Sequence, residues 1–169
     1  DEHVRAWAIR LLSDFWPLDT ILGPKPDTRY PEAPATWAKL QNLAETDSSG
    51  IVLLTLASTL QRLPIEERLR IAEALVRREA YAEDPQLPGL VWYGLIPLGQ
   101  HRPDLLVQLN RDCCWPQLNQ WSARLLASQA KDHPEPFNSL LKLAMEREQK
   151  FQIEVIRGRT DGFRGRKKV

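Results

Sequence analysis

The chain has 169 residues, 43% of them hydrophobic and 27% charged, with a net charge of +1. This is ordinary for a globular protein and long enough for one domain with a real core. The near-neutral balance excludes a whole-molecule field that would draw the chain to nucleic acid or an anionic membrane. No apolar run approaches the roughly 20 residues needed to span a bilayer.

The first element is an amphipathic helix over 2–14, with Val4, Ala8 and Leu12 on one stripe. The stripe returns as Val52, Leu56 and Leu60, 48 residues on, just beyond the spacing of about 40–47 residues expected of HEAT-type helix pairs. A period of this size predicts stacked two-helix units. The chain opens on acids inside this pattern and without Met, so it reads as a fragment of a longer protein whose compartment stays open.

Residues 15–35 break the pattern with Pro17, Pro24, Pro26, Pro31 and Pro34. A long structureless loop is uncommon in a compact domain. Either apolar anchors hold this insertion or it has a binding role. Phe15, Trp16, Leu18, Ile21 and Leu22 favour anchoring of its front half.

Beyond it, apolar spacing predicts helices over 36–46, 49–62, 65–80, 88–96, 103–110, 116–130, 136–147 and 149–164. Ile65, Leu69, Ala72 and Val76 follow i, i+4, i+7, i+11, and Leu118, Trp121, Leu125 and Leu126 do much the same. Pro64, Pro103, Pro116 and Pro136 mark helix starts, because a helix's first turn does not use the N–H that proline lacks. Val91-Trp92-Tyr93 is placed near the end of a buried helix closed by Pro97. The fold class is therefore all-α: a HEAT/armadillo-like α-α superhelix of about four helix pairs, one helical-repeat domain over 1–169. Val4, Trp7, Ala8, Leu12, Leu56, Leu60, Leu69, Trp92 and Trp121 are its expected packing residues. Arg5 and Arg62 are expected to bond across to neighbouring turns. The six tryptophans (Trp7, Trp16, Trp37, Trp92, Trp115, Trp121) could form core or an aromatic ligand surface; packing is preferred, since Trp7, Trp92 and Trp121 sit in apolar stripes.

Chemistry is sparse. Cys113 and Cys114 are adjacent, where a bridge would strain the peptide between them, so they are read as free, semi-buried thiols. His3, His101 and His133 are far apart in sequence, and no CxxC, HExxH or CxxCH is present. There is no GxSxG and no Gly-rich phosphate loop. Glu66-Glu67 suit the positive end of a helix dipole, and Glu83-Asp84 a loop. No catalytic, cofactor or metal residue is assigned. One local charge bias remains: 157–169 holds six basic residues and one acid, or +5, leaving −4 for the rest. This segment is read as a final helix with cations near its C-terminal end, running into a linker. The alternative is a nucleic-acid-binding helical-repeat protein that neutralises phosphates with Arg164, Arg166, Lys167 and Lys168.

Several segments together carry a resemblance: Asp1-Glu2-His3-Val4-Arg5-Ala6-Trp7-Ala8-Ile9-Arg10-Leu11-Leu12, Leu56 to Pro64, Asp84 to Leu95, and the closing Arg157 to Val169. They resemble the helical-repeat segment of planctomycete-type, membrane-bound-dehydrogenase-like, heme-binding proteins. In that family a propeller related to sugar dehydrogenases precedes a HEAT-like region and a c-type cytochrome domain follows. The chain departs from the pattern at Ile96, where the family often has an acid after Trp-Tyr-Gly-Leu. The resemblance implies a non-catalytic scaffold linking those two domains, with heme c only in a separate domain of the parent. It also implies neighbouring domains or proteins as partners, no membrane insertion by this segment, and a periplasmic or cell-envelope location.

Overall fold

The computed structural model describes residues 1–18 and 34–164. Among them are nine α-helices, two 3₁₀ turns and no strand. The helices are α1 (Glu2–Ser13), α2 (Pro34–Thr46), α3 (Gly50–Thr59), α4 (Ile65–Val76), α5 (Leu87–His101), α6 (Pro103–Asn110), α7 (Pro116–Gln129), α8 (Pro134–Glu146) and α9 (Gln149–Phe163). Asp1 caps α1 by accepting from the His3 and Val4 N–H groups at 2.7 and 3.3 Å. Proline opens α2, α6, α7 and α8, where its missing donor costs nothing and its fixed φ suits the helix.

Helices contact one another in two rows. α1, α3, α5, α7 and α9 pack in that order, and so do α2, α4, α6 and α8. Consecutive helices α2/α3, α4/α5, α6/α7 and α8/α9 join the rows as hairpins. The even helices begin at residues 34, 65, 103 and 134, spacings of 31, 38 and 31. The 48-residue step from α1 to α3 is thus one unit lengthened by the proline-rich segment. One continuous core runs through the stack, from Ile9 and Trp37 through Leu56, Leu60, Leu75, Leu95 and Trp115 to Leu126, Leu140 and Phe151.

Three expectations are corrected. The stripe of Val4, Ala8 and Leu12 faces solvent, and Trp7 is 58% exposed; α1 buries Ala6, Ile9 and Ser13 instead. The rotation of α1 is set by polar bonds. Glu2 accepts from the Ser49 hydroxyl at 2.5 Å, Arg5 holds Asp47, and Arg62 donates to the Asp14 and Trp16 carbonyls at 3.1 and 2.8 Å. With apolar residues around most of α1, spacing alone could not choose the face. Second, α5 does not end near 96: Pro97 lies inside it and the helix runs to His101. Pro97 gives no N–H to the Tyr93 carbonyl one turn back; beside it, fully buried Arg68 donates to the Gly94 carbonyl at 3.1 Å. Third, Phe15 is 94% exposed and Leu18 half-exposed, so only Trp16 anchors this part of the insertion, stacked 5.5 Å from Trp37. Ile21 and Leu22 lie outside the described residues, and so does most of the insertion.

The closest helix approach is α7 on α9. A Cβ on Gly158 would sit 2.1 Å from the Gln120 carbonyl oxygen, and one on Gly162 would sit 2.6 Å from that of Arg124. Ala123 and Ala127 present only methyl groups to the same seam. In sequence these glycines lie within the basic segment 157–169. Their i, i+4 spacing, opposite an Ala-x-x-x-Ala pair, was the signal for contact between backbones. Gly158→Ala is expected to destabilise by about 1–3 kcal/mol, because overpacking against backbone outweighs the roughly 1 kcal/mol that alanine gains in helix propensity. Gly89→Ala in α5, where nothing lies within 4 Å of the added methyl, should be neutral or stabilising. Urea unfolding of both variants checks the pair.

Candidate functional site

The loops that end the even helices lie side by side and are tied by side chains from the following layer. Arg5 Nε and Nη2 donate to Asp47 Oδ2 and Oδ1 at 2.6 and 3.0 Å, and Asp47 Oδ1 also accepts the Ser49 N–H at 2.9 Å. Arg78, just after α4, donates to the Ala44 and Asp47 carbonyls at 2.8 and 2.6 Å. Trp115 Nε1 donates to the Arg78 carbonyl at 2.9 Å, and the Cys114 thiol and N–H both donate to the Val76 carbonyl. Arg147, after α8, donates to the Arg111 carbonyl and stacks its guanidinium 4.8 Å from the Phe151 ring. Arg5 and Arg62 thus both bond across to neighbouring turns, as their sequence context predicts.

Arg5 holds the Asp47 carboxyl below the usual carboxylate range, overcoming the opposing effect of burial, with help from the Ser49 N–H and the Arg78 charge. The folded pKa is the lower one, so this stability is present above about pH 3.8 and is lost as pH falls through the folded value. Asp47→Ala is expected to lower stability at neutral pH and to flatten the acid limb of the stability–pH curve, as measured by urea midpoints between pH 2 and 7.

Cys113 is buried, and desolvation chiefly pushes its thiol up to about 12. Cys114 is partly buried and raised for the same reason. Thiolate is the reactive form, so a disulfide reagent should titrate at most Cys114 slowly in the native chain and both thiols in urea. Nearby, Asn119 donates to Glu154 at 2.9 Å, joining α7 to α9 within the core. Among the described residues no group of three or more His, Cys, Asp or Glu is placed to hold a metal ion. Asp84 has a structural role, accepting the Gln86 and Leu87 N–H groups at the start of α5, both at 2.8 Å. Glu66 and Glu67 occupy the first turn of α4.

Three surfaces differ in chemistry. Along the even row, a groove of about 650 Å³ is charged and partly paired internally: Gln108 donates to Glu73 at 2.9 Å and Arg77 meets Asp112 at 2.6 Å. Along the odd row, a groove of about 560 Å³ has an aromatic floor, with Trp92 and Trp121 ring centroids 5.9 Å apart and half-exposed Tyr93 beside them. Its rim carries Arg124, Asp161 and Arg164. Asp161 accepts from Gln120 at 3.1 Å and pairs with Arg164 at 3.4 Å. The third surface is at the far end of the stack, where a groove of about 460 Å³ between α8 and α9 is lined by Leu141, Met145, Val155 and Ile156.

In sequence Trp92, Trp121 and Arg164 lie far apart. The fold brings Arg164, from the basic segment, to the Trp92–Trp121 pair. Arg166, Lys167 and Lys168 lie outside the described residues. Among the described residues no helix is long and apolar enough to cross a membrane.

No protein-family model, curated protein or solved structure matches the chain.

Proposed function

We propose that this chain is a non-catalytic scaffold, a short right-handed HEAT/armadillo-like superhelix that holds neighbouring domains or proteins at a fixed separation. The observation that carries this reading is a continuous two-row stack with apolar faces at both ends. At one end α1 turns Val4, Trp7, Leu11 and Leu12 outward, with Leu11 66% exposed. At the other, Met145 is 81% exposed and Ile156 is also exposed. Helical repeats bury their faces against the next unit, and stacks that end in solvent carry polar outer faces. Apolar ends therefore suit a segment that continues into helical neighbours, and the occupant of the α1 face is a helix packed on it as α1 itself packs on α3.

The interlayer bonds of Arg78, Trp115 and Arg147 suit a spacer, because they resist shear between layers. Placement between a propeller-type dehydrogenase domain and a c-type cytochrome domain is supported by the sequence resemblance alone. On this reading any heme c belongs to another domain, and partners are neighbouring domains or proteins.

The purified chain is expected to show no heme absorbance and no dye-linked dehydrogenase activity; stoichiometric heme uptake overturns the reading. In the same preparation Trp7→Arg with Leu11→Arg should change stability by less than about 0.5 kcal/mol per site, as for exposed positions, whereas Leu56→Ala in the core should cost about 2–5 kcal/mol. Thermal and urea unfolding compare them. A core-sized loss at Trp7 and Leu11 shows that the face is already used within the chain.

A further inference from the structure

We propose that the odd-row groove is a docking site for an acidic peptide segment of a protein partner, with an apolar side chain on the Trp92–Trp121 floor and flanking carboxylates on Arg124 and Arg164. This rests on the scaffold reading and names a partner for a flank of the stack that the end faces do not involve.

Four features of the groove point to this occupant. The floor offers ring and aliphatic surface from Trp92, Trp121, Ile96 and Leu125, enough to desolvate an aliphatic or aromatic side chain. Partly exposed aromatic rings and arginines are the groups most enriched where proteins bind proteins. Arg124 is exposed and, among the described residues, has no carboxylate within ion-pair reach, so its charge is available to a ligand. Arg164 is held toward the groove by Asp161, which Gln120 positions in turn. An incoming carboxylate can share that guanidinium, which has five N–H donors.

The Asp161 carboxylate decides between peptide and nucleic acid. It stands in the same groove as the two arginines, where it can accept the N–H groups of a peptide backbone, donors that a sugar–phosphate backbone lacks. A groove with both donors and acceptors matches a peptide, which also carries both. The opposite flank suits an acidic peptide less, because its lining carries the carboxylates of Glu73, Asp104, Asp112 and Glu135 against the arginines Arg77 and Arg111.

The test uses the full 169-residue chain and a fluorescein-labelled peptide, Gly-Glu-Glu-Leu-Leu-Glu-Glu-Gly, read by anisotropy and by tryptophan fluorescence. Saturable binding with a change in tryptophan emission is expected. It should weaken about ten-fold or more in Arg124→Glu, as for loss of a charge partner worth at least 1.4 kcal/mol. Tyr93→Ala should weaken it too, and Arg77→Glu on the other flank should leave it unchanged. Far-UV circular dichroism of each variant confirms the fold. The proposal is overturned if the peptide binds no better than its Lys-for-Glu counterpart, or if Arg77→Glu and Arg124→Glu have equal effects. Tighter, Arg124-dependent binding of an oligo-dT strand also overturns it, in favour of nucleic acid. None of these results touches the heme or unfolding tests of the scaffold reading, so the two can fail separately.

Discussion

The stack depends on what happens to the last carbonyls of its even helices. An α-helix leaves four C=O groups without an intrahelical donor, and burying them unpaired is costly. Here donors from the next layer reach back. Arg78 bonds the end of α2, Cys114 and Trp115 bond the end of α4 and the residue two beyond it, and Arg147 bonds the residue after α6. Each bond satisfies an orphan group and fixes the register of one layer on another. Asp47 extends the series to α1 through Arg5. A row of helices held only by apolar contact could slide; one whose helix ends are bonded layer to layer has its register defined.

The odd row solves a different problem. Its helices must pack side by side, and the available volume differs from seam to seam. At α7/α9 the backbones approach until only Gly158 and Gly162 fit opposite Ala123 and Ala127. Where α5 meets the C-cap of α3 and where it meets α7, the glycines face side chains: Gly94 lies against Leu60, and Gly99 against Leu125. This gradation sets where the surface opens. The floor of the odd-row groove is the α5/α7 seam, where Trp92 and Trp121 meet at an angle, and its rim is the neighbouring, tighter α9.

The fold was legible because helix boundaries are written in local chemistry. Prolines 103 and 116 open their helices as read, and α1, α2, α6, α7 and α9 end within a residue of the predicted positions. What failed was orientation. The stripe of Val4, Ala8 and Leu12 is a valid helical pattern, but α1 has apolar residues on several sides and its facing was chosen by Arg5, Glu2 and the carbonyls that Arg62 grips, all long-range bonds. Pro97 misled for a related reason: proline is a stop signal in isolation, and it is tolerated here because tertiary packing overrides the local preference. The odd-row groove was illegible as a unit, since Trp92 comes from α5, Trp121 from α7 and Arg164 from the end cap of α9, and only stacking brings them together.

The same logic separates the surfaces by use. Where the chain has spent its polar groups on itself, as along Glu73, Gln108, Arg77 and Asp112, a partner would have to replace good bonds with equivalent ones and gain little. Where apolar area lies open, as on α1 and between α8 and α9, burial gains roughly 25 cal/mol per Å² and breaks no existing bond. The odd-row groove combines open aromatic surface with an arginine not engaged by any described carboxylate. For the peptide proposed there, apolar burial would supply affinity and Arg124 and Asp161 selectivity, because charge pairing governs specificity more than strength. On the proposed scaffold reading, helical neighbours cover the apolar ends and the flank is left for a partner chosen by charge.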